Sequence, residues 1–171
     1  MGVGGTILTT NDGGNNWSKQ TSGTINVLGS VYFTTPLLGC VVGQNGTILT
    51  TNNGGITWSK QSLSTTVSIN RTFFTSTSRG WAVGDSGIIF TTKDGGSNWS
   101  KQNSGTSNLL TSVNFPTASQ GWIVGINGTI LTTNDSGNTW SSQISGTTNV
   151  LSTVYFICKP PSKYILRMTQ K

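Results

Sequence analysis

An all-β fold assembled from repeats is predicted for this chain of 171 residues by three observations. Trp17, Trp58, Trp99 and Trp140 recur at intervals of 41 residues, and the surrounding text recurs with them as GTILTTNDGGNNWSKQ, GTILTTNNGGITWSKQ, GIIFTTKDGGSNWSKQ and GTILTTNDSGNTWSSQ. Each period holds four short stretches rich in β-branched and aromatic residues, divided by Gly, Asn and Ser, which favour turns. No apolar stripe at helical spacing persists, which excludes a helical solenoid. Four strands in about forty residues is the size of one β-propeller blade.

The strands follow in order within a period. The first is Val27 to Phe33 and the second Cys40 to Val42, matched by Trp81 to Val83 and Trp122 to Val124. The third is Thr47 to Thr51 and the fourth Thr57 to Gln61. Blades are expected over 23–63, 64–104 and 105–145, with partial blades over 1–22 and 146–166 and a basic tail over 167–171. Met1 aligns with the end of a second strand, so the N-terminal piece supplies third and fourth strands only. Val150 to Phe156 repeats the first strand, and Lys163 to Leu166 lies in register with the second. The two pieces are complementary. They complete one composite blade of a closed four-bladed ring, or of an eight-bladed ring made by two chains; the repeat leaves both open.

Composition narrows the chemistry. There are 10 Lys plus Arg against 4 Asp plus Glu, and no histidine; the acids are Asp12, Asp85, Asp94 and Asp135, with no glutamate. Four cations, Lys159, Lys163, Arg167 and Lys171, fall at the C-terminal end, which leaves 6 cations against 4 acids before them. The body therefore lacks the basic face of a nucleic-acid binder. No stretch is long and apolar enough for a membrane-spanning helix, and the first residues do not read as a secretory signal. Cys40 and Cys158 match no metal spacing, and whether they pair is open. No cofactor is expected. Asn-x-Ser/Thr triplets at Asn16, Asn45, Asn70, Asn98 and Asn127 are expected by chance in so Asn- and Thr-rich a chain.

The segment from Thr10 to Trp17 resembles an Asp-box, the turn of bacterial neuraminidase repeats, and returns as Thr51 to Trp58, Thr92 to Trp99 and Thr133 to Trp140. Asp12, Asp94 and Asp135 are expected to accept backbone N–H bonds inside a hairpin, with Asn53 replacing aspartate once, and Trp17, Trp58, Trp99 and Trp140 to pack over the turn. With the Gly80-Trp81-Ala82-Val83-Gly84 context, the whole resembles the photosystem II stability and assembly factor family. That resemblance implies a propeller, boxes that are structural, a protein partner docked through an arginine-rich face, and relatives that are often exported. Here Arg71, Arg79 and Arg167 occupy unrelated repeat positions.

An enzyme of the neuraminidase type would need an arginine triad, a Tyr–Glu pair and an acid–base Asp. Without glutamate, and with three of four acids committed to hairpins, no enzyme is expected. The expected role is a binding scaffold for a protein or glycan surface, with self-association of a propeller fragment as the alternative. Its candidate ligand residues lie in the loops after the second strands: Gln44, Asn45, Asp85, Ser86 and Asn127. Lys19, Lys60 and Lys101 recur in three repeats as a spaced ring of charge, and Trp81 and Trp122 are read as core rather than as sugar platforms.

Overall fold

The computed structural model describes residues 2–156 and the backbone of Leu166–Met168. Three four-stranded antiparallel meanders form the body. The first is β3 (Leu28–Phe33), β4 (Gly39–Gly43), β5 (Thr47–Thr51) and β6 (Ser59–Gln61). The second is β7 (Ile69–Phe74), β8 (Gly80–Gly84), β9 (Ile89–Thr92) and β10 (Ser100–Gln102). The third is β11 (Leu110–Asn114), β12 (Gly121–Gly125), β13 (Ile130–Thr133) and β14 (Ser141–Gln143). Two-stranded sheets flank them: β1 (Ile7–Thr9) with β2 (Ser18–Gln20), and β15 (Val154–Phe156) with β16 (Leu166–Met168). The first strand of each complete blade shifts register one residue after its leading Leu or Ile, between Leu28 and Ser30, Ile69 and Arg71, and Leu110 and Ser112. A bulge repeated at one position bends every blade alike.

Strand alternation explains the packing, because successive side chains point to opposite faces and both faces of a blade are covered by neighbours. Val41 and Leu49 join Ile7 and Leu28 on the side of the N-terminal half-blade. Cys40, Val42 and Ile48 point the other way, against Ile69, Phe74, Ala82 and Phe90 of the next blade. The arrangement repeats one blade on, where Trp81, Val83 and Ile89 meet Leu110, Val113, Phe115, Ile123 and Leu131. Val124 and Ile130 then meet Leu151, Val154 and Phe156. Trp81 is fully buried and stacks on Phe115 with ring centres 3.8 Å apart. Trp122 is half-buried and lies 4.4 Å from the Phe156 ring.

The ends differ from the expected pattern in two respects. The strand that pairs with β15 begins at Leu166, since Phe156 opposes Leu166 whereas Phe74 opposes Gly80. The second strand therefore comes four residues later than the 41-residue register implies, and the boundary at 166 falls inside β16. The repeat spacing assumed a constant number of residues between first and second strands; residues 163–165 lie outside the described residues. Among the described residues β16 is also not paired with β1, so the two half-blades remain separate sheets.

Coverage follows from that separation. Val31 and Phe33 on the first complete blade are 44% and 42% exposed, whereas Thr72 and Val113 are each 3%, Phe74 4% and Phe115 6%. Trp17, expected to pack over its turn, is 59% exposed. Its counterparts are half-buried because Trp58 meets Phe33, Trp99 meets Phe74 and Trp140 meets Phe115 edge to face, and that Phe belongs to a first strand the N-terminal half-blade does not contain. Trp81→Ala should cost about 3–5 kcal/mol in urea unfolding, and Trp17→Ala under about 1 kcal/mol. Equal losses would contradict this packing scheme.

Candidate functional site

The Asp-box is a closed hydrogen-bond circuit. The Thr133 hydroxyl accepts from the Gly137 N–H at 2.9 Å and donates to Asp135 Oδ1 at 2.7 Å, and that oxygen also accepts from the Thr139 N–H at 3.0 Å. Asp12 and Asp94 do the same with the N–H groups of Asn16 and Asn98, each at 2.9 Å. Asn53 substitutes faithfully, since its Oδ1 accepts from the Thr57 N–H at 3.0 Å while its amide donates to the Thr57 hydroxyl at 2.8 Å. These bonds to the charged form hold the carboxyls below the ordinary range. Asn16 holds Asp12 at about 2, first through its backbone N–H and then its side-chain amide. The Asn98 amide and N–H lower Asp94, and the Thr139 hydroxyl and N–H lower Asp135. Each of these exposed acids is thereby committed to hydrogen bonds within its own hairpin.

The candidate ligand loops carry backbone strain. Asn45, Ser86 and Asn127 adopt φ of 53°, 55° and 54°, a left-handed conformation that costs a non-glycine residue energy. Internal bonds hold the loops in place: Asn45 donates to Asn26 Oδ1 at 3.1 Å, Asn127 to Asn108 Oδ1 at 3.3 Å, and Asp85 accepts from the Asn70 amide at 2.8 Å. Gln44, Asn45, Ser86 and Asn127 are exposed and Asp85 half-buried, each in its own blade's loop. Lys19, Lys60 and Lys101 are exposed on β2, β6 and β10.

A different concave surface does draw on four sheets. The inner strands β3, β7, β11 and β15 line an axial groove of about 460 Å³. Ser30, Arg71, Ser112 and Thr153 occupy the same repeat position in it, followed two residues on by Tyr32, Phe73, Asn114 and Tyr155. Arg71 is exposed and is the single charge in the lining. Sequence reasoning aimed at the loops missed this surface. The available signal was Arg71 itself, a cation where the other repeats hold Ser or Thr.

A family model described as photosynthesis system II assembly factor YCF48 matches residues 22–106. Among solved structures the chain is similar to "YCF48 bound to D1 peptide", at TM-score 0.72 and 24% identity over 94% of this chain and 53% of that one. YCF48 from Cyanidioschyzon merolae matches at TM-score 0.72 and 19% identity, over 90% and 58%. An ancestral GH74 enzyme matches at TM-score 0.66 and 18% identity, over 80% and 21%. At these identities the likeness is one of fold, and the chain spans little more than half the length of the YCF48 structures. No curated protein matches the sequence significantly.

The lowered carboxyls set an acid limit on the fold. A folded pKa below the unfolded one contributes stability that is present above the ordinary 3.8 and lost as pH falls through the folded value. The melting temperature should hold from pH 7 to about 5 and drop between about 4 and 2. Asp135→Asn, copying the working Asn53 box, should keep the fold at pH 7 and make that drop shallower. Calorimetry across the pH range checks both, and an unchanged acid slope would remove Asp135 from this role.

Proposed function

We propose that this chain, an Asp-box propeller similar to the photosystem II assembly factor family, is a non-catalytic module that binds a protein segment along its axial groove. The groove carries the reading: four inner strands present hydroxyl, aromatic and amide groups around one exposed guanidinium. Arg71 suits a carboxylate of the bound segment, which its planar fork holds through two parallel hydrogen bonds. A structural relative with a bound peptide supports the same class of partner. A non-catalytic role is supported by the acids, because Asp12, Asp94 and Asp135 are saturated in separate hairpins and Asp85 is held by Asn70. Glycan binding has no comparable observation behind it.

The D1 peptide of the YCF48 complex is the available probe. Isothermal titration should give saturable binding, weakened about tenfold, or 1.4 kcal/mol, by Arg71→Ala and partly restored by Arg71→Lys. Binding unchanged by Arg71→Ala would overturn the groove assignment, and turnover of fluorogenic glycosides would overturn the non-catalytic one.

A second reading is favoured by the uncovered Val31 and Phe33. In it, β15 and β16 of a second copy pair beside β1 and cover those side chains, so that two chains close an eight-bladed ring. An apolar sheet face and an open strand edge are what such exchange removes from water. Light scattering over a hundredfold dilution should then give twice 18.0 kDa, and Val31→Glu should give the single-chain mass with unchanged circular dichroism. A wild-type protein of single-chain mass throughout would end this reading.

A further inference from the structure

Among the described residues three rims join a fourth strand to the Asp-box turn of the following blade, and two of them are closed by one device. The Gln102 amide donates to the Gly137 carbonyl at 2.6 Å and accepts from the Trp140 indole N–H at 3.3 Å, and Gln20 accepts from that of Trp58 at 3.1 Å. In both the Trp follows the Gln by 38 residues. The glycine of the receiving turn is packed shut: a Cβ on Gly137 would run into the Trp81 indole, and one on Gly55 would meet the Gln20 amide at 2.8 Å. At the third rim Gln61 turns back to the Thr50 hydroxyl at 2.8 Å.

The two ends of the blade series carry the two halves of this device apart from each other. Gln143 on β14 is exposed, whereas Gln20 and Gln102 are half-buried. Its surroundings are those of Gln102 and not of Gln61, because the Thr132 hydroxyl bonds the Gly121 carbonyl as Thr91 bonds that of Gly80. The half-blade β15–β16 beside it offers no Asp-box turn among the described residues. At the other end Trp17 is 59% exposed, and Gly14 is exposed with only its own Trp17 near the place of a Cβ, whereas Gly55, Gly96 and Gly137 are buried. Leu8 on β1 is 47% exposed, although its equivalents Leu49, Phe90 and Leu131 are buried. The face that each complete blade turns to the blade before it is thus open on β1–β2.

We propose that the rim of the third blade docks on the β1–β2 hairpin of a second copy of this chain, with Gln143 accepting from the Trp17 indole N–H and donating to the Gly14 carbonyl of that copy. The register is the repeat's own. The Trp due 38 residues after Gln143 falls four periods beyond Trp17, and the accompanying glycine four periods beyond Gly14. Trp122, half-buried where Trp81 is fully buried, then packs against that glycine as Trp81 does against Gly137. The contact rests on the reading in which two chains close an eight-bladed ring, and it supplies what the apolar Val31 and Phe33 face lacks. Apolar burial is non-directional, whereas polar groups across an interface fix its register.

Sedimentation velocity over a hundredfold dilution gives the dissociation constant of the two-chain species. Each closed pair holds the contact twice, so Trp17→Ala and Gln143→Ala should each weaken association about tenfold. Trp17→Phe, which keeps a ring without the N–H, should fall between wild type and Trp17→Ala. The double variant should fall well short of the product of the two single losses, because partners in one contact are not additive. Both side chains are exposed in the single chain, so circular dichroism should show each variant folded. A wild-type protein of single-chain mass overturns this contact together with the eight-bladed ring. A two-chain species that the substitutions leave intact, or whose single losses multiply in the double variant, overturns the contact alone and leaves the ring to Val31 and Phe33.

Discussion

Every blade here is a thin antiparallel sheet with two apolar faces, and neither face can be left to water. That constraint organises the molecule. A strand such as Gly39–Gly43 sends Val41 backwards and Cys40 and Val42 forwards, so a blade is stable only between neighbours. The core is a series of interfaces, each closed by side chains about 41 residues apart, and the fold propagates from repeat to repeat as in other quasi-one-dimensional architectures. Val31 and Phe33 show the converse: the residue types and backbone are those of a core, and they are exposed where no sheet among the described residues covers them.

The outer rim solves a different problem. Tight hairpins with few charges must satisfy their own backbone groups, and the Thr–Asp circuit does so without a core. Asn53 demonstrates that the circuit depends on acceptor geometry more than on charge, since its amide oxygen receives the same Thr57 N–H bond. Gln20 and Gln102, on two of the fourth strands, then tie one blade's rim to the next blade's turn, whereas Gln61 turns back to the Thr50 hydroxyl of its own blade. Low charge and abundant Thr, Asn and Gly are the composition of a surface made largely of such local circuits.

Strand order, blade count and the Asp-boxes were legible because the 41-residue text repeats and its turn residues have direct conformational meaning. Burial of Trp81 was legible for the same reason. The exposure of Trp17 was not, because its partner would be a Phe on a strand outside its own half-blade, and no local pattern records a missing neighbour. The displaced pairing of Leu166–Met168 escaped because a fixed period presumes a constant number of residues between first and second strands. The axial groove escaped because it is made by four inner strands, each contributing one or two side chains that read locally as ordinary strand residues.

The departures from the repeat are therefore what the fold itself leaves unexplained. Where Thr, Gly and Trp recur in register, the recurrence is explained by the hairpin and the interface they build. Arg71 in place of Ser or Thr serves neither purpose. It puts an exposed cation into a groove that the fold would form with serine there.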